Sequence, residues 1–203
     1  PIAGIRSPAA SAAARMPIGT IAVVTNIDRE HMDFYQTMER LNESFLDFIN
    51  KIPFYGLAVL CLDNANVRAL LPKVRKRFTT YGLSSDADFS AQDLKVNHSG
   101  VELSVLHRTK PIGKLRLQLL GRHSATNALA AVAVAHELEI PFSHTAEALE
   151  AFTGIHRRCE IKGQPKGVMI IDDYVVEGHA DQYDDAIMEA VHKVDNEVFW
   201  RKD

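Results

Sequence analysis

Nine consecutive residues, Thr25-Asn26-Ile27-Asp28-Arg29-Glu30-His31-Met32-Asp33, carry three carboxylates and an imidazole within a short length of chain. Oxygen and imidazole groups at that density suit a divalent cation. The run directly follows an apolar segment that reads as a strand, the place where open α/β sheets gather ligands. The same residues also fit an ordinary polar loop whose carboxylates cap a helix. A second group, Gly121-Arg122-His123-Ser124-Ala125-Thr126-Asn127, opens a helical stretch. His123 and Asn127 are four apart and share a helix face. The amide can both donate to and accept from an adenine edge, and a helix N-terminus favours anions. The competing reading is capping by Ser124 or Thr126, with His123 as a surface residue. In Gly154-Ile155-His156-Arg157-Arg158 two adjacent guanidinium groups follow a glycine turn, which fits bidentate phosphate or carboxylate binding and equally a solvated charged surface. Ile170-Ile171-Asp172-Asp173-Tyr174 ends an apolar run in two carboxylates, able to hold ribose hydroxyls or a metal, or simply to close a strand with a turn.

The elements that must position these groups follow from hydrophobic period. Residues 21–25 are apolar and β-branched and read as a strand buried on both faces. Met38, Leu41, Phe45, Phe48 and Ile52 then recur at steps of three and four, the stripe of a helix that Pro53 ends. Residues 57–62 form a second apolar strand, and Asp63-Asn64 precedes a short helix through Val67, Leu70 and Leu71. Strand, helix, strand, helix implies a parallel sheet covered by helices.

From Val101 the period becomes two. Val101, Leu103 and Val105 alternate with Glu102 and Ser104, and Leu115, Leu117 and Leu119 with Lys114, Arg116 and Gln118. These predict antiparallel strands with one wet face, joined by a hairpin at Pro111-Ile112-Gly113. Ala125, Ala128, Leu129, Val132 and Ala135 form the buried stripe of a long helix, and a further helix runs from Pro141 and Ser143 to Phe152. Residues 159–162 and 168–171 are short strand candidates. Residues 175–203 are acidic, with a helical period through Ile187, Ala190, Val191 and Val194.

A chain of 203 residues with 46% hydrophobic and 24% charged side chains is long enough to bury a full core. Its net charge of −3 gives no basic footprint for nucleic acid, so any phosphate contact must be local. No apolar run approaches the roughly 20 residues of a membrane helix. Cys61 and Cys159 lie far apart without CxxC spacing and are expected as free buried thiols in a reducing cytoplasm. Residues 1–20, rich in Ala, Ser, Pro and Arg, are expected to be a disordered or unrelated leader.

Residues 25–33, 57–63, Tyr81-Gly82 with its Ser-Asp-rich turn, 121–131 and 154–160, in this order and spacing, resemble the Mur ligases over residues 21–174. The segment Pro53-Phe54-Tyr55-Gly56-Leu57-Ala58 resembles most the branch that adds L-alanine to UDP-N-acetylmuramate. The resemblance implies a mixed, mostly parallel α/β sheet flanked by helices, related to P-loop nucleotide-binding folds, with a small antiparallel subsheet and truncated ends. It divides the chain into a leader (1–20), a partial central ATP-binding domain (21–155) and the start of, or a replacement for, a C-terminal domain (156–203). It implies an ATP- and Mg2+-dependent amide ligase of peptidoglycan precursor synthesis, acting on UDP-N-acetylmuramate and L-alanine in the cytoplasm, with no nucleic-acid or membrane partner. ATP would phosphorylate the muramate carboxylate, and the alanine amine would displace the phosphate, chemistry that rests on positioning and charge neutralisation.

By position, His31 resembles the family's magnesium-binding histidine and is expected, with Arg158, in the catalytic machinery. His123 and Asn127 resemble its adenine-contacting pair. Arg157, Arg158 and Asp173 resemble its phosphate and nucleotide contacts. The sequence also departs from the pattern. The 203 residues contain no Gly-x-x-Gly-Lys-Ser/Thr loop to cradle phosphates, Ser124 stands where asparagine is usual, and residues 175–179 replace a Gly-His-His-Pro stretch. The expectation is therefore an incomplete chain of impaired activity, the alternatives being a non-catalytic nucleotide-binding or interaction module of the same fold and a folylpolyglutamate synthase-like ligase.

Overall fold

A computed structural model describes residues 19–97 and 100–154, together with the backbone of two short strands at 160–163 and 170–172. The first strand, β1 (Ile21–Val24), leads through a polar loop to the single-turn helix α1 (Met32–Tyr35) and then to α2 (Met38–Asn50). β2 (Leu57–Cys61), α3 (Ala65–Leu70) with a 3-10 turn at Leu71–Lys73, and β3 (Phe78–Tyr81) complete the first half. β4 (Phe89–Asn97), β5 (Gly100–His107) and β6 (Lys110–Leu117) follow, then α4 (Gly121–Glu137) and α5 (Phe142–Ala151).

These six strands form one sheet in chain order. β1, β2 and β3 are parallel, with Ile21 opposite Leu57 and Ala58 opposite Phe78, and β4 joins β3 in parallel through the single pair Tyr81–Phe89. β4, β5 and β6 then alternate in direction. The expected mixed, mostly parallel architecture is thus present, and its antiparallel strands are the continuation of the same sheet. The two strands β7 (Glu160–Gly163) and β8 (Ile170–Asp172) pair antiparallel, close to where the sequence pattern puts them.

Two apolar clusters sandwich the sheet. Leu57, Val59 and Cys61 of β2 face α4, whose Ala125, Ala128, Leu129 and Val132 are all buried. Ala58 and Leu60 face the opposite way, onto Leu41 and Ile49 of α2 and Val67 and Leu70 of α3. All five β2 residues are therefore buried, as the unbroken apolar run requires of a strand covered on both faces. The alanine-rich face of α4 lets its backbone lie close to β2 through β5, and its whole predicted stripe, Ala135 included, is buried.

Three expectations need correction. β1 is not buried on both faces: Ala22 and Val24 pack under α2, but Val23 is 40% exposed. It is the end strand among those described, and α4 lies over β2 to β5 rather than over β1. The hairpin between β5 and β6 does not turn at Pro111-Ile112-Gly113. It turns at Arg108-Thr109, where both residues have positive φ (49° and 70°), the requirement of a two-residue type I′ connection between His107 and Lys110. Pro111 is tolerated because β6 is an edge strand, and the register shift opposite Val105/Leu106 absorbs Ile112 as a bulge. Gly113 is needed for packing: a Cβ there would sit 2.1 Å from the Phe142 ring, so glycine is what lets α5 close over β6. Finally, neither Ser124 nor Thr126 caps α4. Their hydroxyls donate backwards to the carbonyls of Leu120 (2.6 Å) and Arg122 (3.3 Å). Gly121 enters the helix at φ 83°, a conformation in which any side chain would be strained.

Residues 1–18 of the leader and the predicted helix in 175–203 lie outside the described residues, as does Cys159. Cys61 is buried and unpaired, as expected.

Candidate functional site

The loop after β1 is held at both ends and open in the middle. Ile27 is fully buried, and its carbonyl accepts a 2.7 Å hydrogen bond from the Asn66 side-chain amide of α3. Outside that anchor the polar groups form a chain: Thr25 Oγ1 donates to Asn26 Oδ1 (3.1 Å), and Asn26 Nδ2 donates to Asp28 Oδ2 (2.6 Å). His31 then adopts the left-handed conformation (φ 55°), uncommon for a non-glycine residue, and its carbonyl receives the amides of Phe34 and Tyr35 to start α1. The turn leaves the imidazole exposed beside a cavity of about 140 Å³. Asn26, Asp28, Glu30 and His31 line its polar side, and Tyr35, Leu41 and Phe45 its apolar side.

That arrangement refines the cation reading. Among the described residues no three His, Cys, Asp or Glu side chains come together as a metal-ligand set. Asp28, Glu30 and His31 edge one cavity as separate donors. A magnesium ion needs only one or two protein ligands and fills the rest of its octahedron with water and substrate phosphate oxygens, so a single side chain at this rim is enough to meet its requirement. Asp33 does not line the cavity.

The loops after β2 and β3 are locked together beside it. Asp63 accepts the backbone amides of Leu83 (2.7 Å) and Ser84 (3.0 Å), bridging the two strand ends. Arg68 donates to the Leu62 carbonyl (3.1 Å) and pairs with Asp86 at 2.7 Å. The Arg68 guanidinium first, and the Ser84 hydroxyl second, hold the Asp86 carboxyl down at about 2. Burial alone would raise Asp88, but the Thr80 amide (2.9 Å), the hydroxyls of Thr80 and Thr79, and Arg108 outweigh it and keep the carboxyl below its ordinary range. Beneath these loops the Tyr81 hydroxyl faces the Cys61 thiol, a weak partner that leaves it without a conventional hydrogen bond. Burial is the main cause raising both groups, so neither ionises at neutral pH. Asp63, Asn66 and Asp88 went unrecognised in the sequence as site-building residues. Asp63 closes the 57–63 segment of the family resemblance and, with Asn64, punctuates an apolar strand, but neither signal assigns it this bridging role.

The first turn of α4 faces the same end of the sheet. Glu137 in the last turn of α4 pairs with Arg77, the residue before β3, so the helix runs antiparallel to β1–β3 and begins on the side of their carboxyl ends. His123 and Asn127 are exposed there on one helix face, and the first-turn amides have no side-chain cap. Gly154 turns with φ 106° against the side chain of Leu119, two residues before the start of this helix. Arg157, Arg158 and Asp173 lie outside the described residues.

The sequence model of the Mur ligase middle domain matches residues 14–135. The chain belongs to the Mur ligase family. Mur ligase relatives named UDP-N-acetylmuramate--L-alanine ligase are 51% identical over 155 residues in Geobacter sp. (strain M21) and 49% identical over 154 residues in Syntrophotalea carbinolica, each match covering 76% of this chain. The chain spans about a third (34%) of the length of those relatives. Among solved Mur ligases, the UDP-N-acetylmuramate-alanine ligase MurC of Thermotoga maritima superposes with a TM-score of 0.67 at 23% identity, covering 78% of this chain and 35% of that one. MurF of Acinetobacter baumannii gives 0.71 at 18% identity, covering 87% and 37%. At those identities the superpositions speak for the fold. No helix among the described residues is long and apolar enough to cross a membrane.

Proposed function

We propose that this chain forms the nucleotide-binding middle region of a cytoplasmic ligase that joins L-alanine to UDP-N-acetylmuramate at the expense of ATP, in the synthesis of peptidoglycan precursors. The observation that carries the proposal is convergence. The loop bearing His31, the uncapped start of α4 bearing His123 and Asn127, and the Gly154 turn leading to Arg157 and Arg158 all lie toward the carboxyl ends of the parallel strands. Open α/β sheets bind ligands at that edge. The relatives that share half the sequence identities bear the name of this ligase.

In this reading Asn127 and His123 take the adenine edge, the amide supplying both a donor and an acceptor. Arg157 and Arg158 neutralise phosphate charge, Asp173 contacts the nucleotide, and the α4 amides and dipole favour the anion. His31, with Asp28 and Glu30 at the cavity rim, holds magnesium, which when bound supplies charge neutralisation at the phosphates. His31 and Arg158 thus stand nearest the transferring group. Domain limits follow the same reading: a leader over 1–20, although the middle-domain match reaches back to residue 14, the central domain over 21–155 and a further region from 156.

Binding is the direct test. A fluorescent ATP analogue with magnesium is expected to bind, to be displaced by ATP and ADP, and to lose at least about fivefold in affinity in Asn127→Ala, since an amide pair to a base is worth about 1–3 kcal/mol. Equal affinity in wild type and Asn127→Ala would move the adenine site elsewhere. A non-catalytic module of the same fold would bind nucleotide with no dependence on magnesium or on His31.

A further inference from the structure

Residues 25–31 connect β1 to the single-turn helix α1. Thr25, Asn26 and Asp28 bond to one another, which shapes this loop without tying it to the sheet. Ile27 supplies two ties. Its side chain is fully buried with Leu41 and Ile49 of α2 and Val67 and Leu70 of α3, and its carbonyl accepts the 2.7 Å hydrogen bond from Asn66 Nδ2, 39 residues along the chain. Four residues on, His31 ends the loop in the left-handed conformation, and Tyr35, whose amide donates to the His31 carbonyl, packs on the same cluster. A non-glycine residue keeps that conformation when its surroundings over-determine it. The His31 side chain is exposed, so packing does little to place it, and its position comes from the backbone that leads to it.

Asn66 is well placed to set that backbone. It is the second residue of α3, whose first turn is fixed three times: the Asn64 side chain accepts the Val67 amide (3.0 Å), Val67 is buried, and Arg68 donates to the Leu62 carbonyl (3.1 Å). A group presented by an anchored helix places its partner more precisely than one presented by a loop. The chemistry also selects the residue type. The Ile27 carbonyl needs a donor, which an amide supplies and a carboxylate does not, whereas a shorter side chain would leave the carbonyl to water, satisfied but unfixed. We propose that Asn66 is a positioning residue for magnesium binding: from α3 it sets the place of Ile27 and, through the four residues that follow, the place of His31 at the cavity rim. The proposal rests on the magnesium-nucleotide reading above and names the residue that tunes it.

The test uses a fluorescent ATP analogue bound to the full chain, first in chelator and then at rising magnesium. Groups bonded directly to a metal ligand change metal affinity by about 10–100-fold, and Asn66 acts from four residues away. Asn66→Ala is therefore expected to raise the half-saturating magnesium concentration about fivefold, with affinity in chelator within about twofold of wild type. Asn66→Asp keeps the shape, and a carboxylate in the first turn of α3 suits the helix dipole, so it carries the test even where Asn66→Ala folds poorly. It also adds negative charge near the cation. Charge alone would tighten magnesium binding, whereas lost positioning weakens it. Asn50→Ala removes a comparable bond, from the Arg75 amide to Asn50 Oδ1 (2.9 Å) at the end of α2, and leaves both affinities unchanged. Magnesium dependence that persists undiminished in both Asn66 variants, tightens in Asn66→Asp, or falls only in step with the affinity in chelator overturns the proposal and leaves the ligase reading standing. Nucleotide binding by wild type that ignores magnesium overturns both.

Discussion

The two ends of the sheet solve opposite problems with different residues. At the carboxyl ends of β1–β3 the side chains are short and acidic or amidic, and each is tied to backbone: Asp63 to Leu83 and Ser84, Asn66 to Ile27, Asp88 to Thr80. At the amino ends they are long cations and aromatic rings with few partners, Phe54 and Tyr55 touching little beyond each other. Short side chains bonded to backbone lose little entropy and fix loop positions, as a small-molecule site requires. The difference separates an edge held by backbone hydrogen bonds from one with exposed, lightly held side chains, and substitutions should respond accordingly.

Asp88→Ala is expected to have the largest effect, a loss of about 2–3 kcal/mol in urea unfolding. It strands the Thr80 amide and hydroxyl at the point where β3 hands over to β4, and an unsatisfied part-buried donor costs about 1–3 kcal/mol. Asp63→Ala should follow at about 1–2 kcal/mol, because two loop amides lose their acceptor to water.

A smaller effect is expected from pH. His107 stacks on Phe89 at 4.4 Å and meets His136 at 4.5 Å. Burial first, then the charges of His136 and Arg108, lower its pKa, with Asp88 opposing. A histidine depressed in the folded state binds fewer protons than in the unfolded chain. Its contribution is therefore complete above about pH 6.5 and is lost as pH falls through the folded value. Unfolding free energy should decline by less than about 1 kcal/mol between pH 7 and 5.5 from this source, and His107→Gln should flatten that slope. Phe54→Ala, at the other end, should change stability by no more than about 0.5 kcal/mol, since the ring is already in water. A large loss there would mean that the amino end is as structural as the carboxyl end.

The sequence disclosed the elements better than their surroundings. Unbroken apolar runs and helical stripes located β2, α2 and α4, because burial on a fixed face leaves a periodic trace. β1 has the same apolar run as β2, yet among the described strands it lies at the sheet's end, a distinction set by neighbours and invisible in its four residues. The hairpin was misplaced because Pro and Gly are strong turn signals, whereas Arg108-Thr109 reach positive φ under the constraint of strand pairing. Residue type and spacing marked the His31 loop and the His123–Asn127 face as candidates, without deciding between ligand binding and an ordinary polar loop or helix start. Asp63 and Asn66 were not marked, since their partners are backbone groups 20 and 39 residues away.

The central claim, a magnesium-nucleotide site at the carboxyl end, is tested most directly by thermal unfolding with and without magnesium-ATP. At a hundredfold excess over the dissociation constant, binding adds about 2.7 kcal/mol, which for a chain of this size raises Tm by about 5 °C or more. The account predicts that shift in wild type and in Phe54→Ala, and its loss at the same ligand concentration in Asn127→Ala and His31→Ala. No shift in wild type, or an undiminished shift in both site variants, would contradict it.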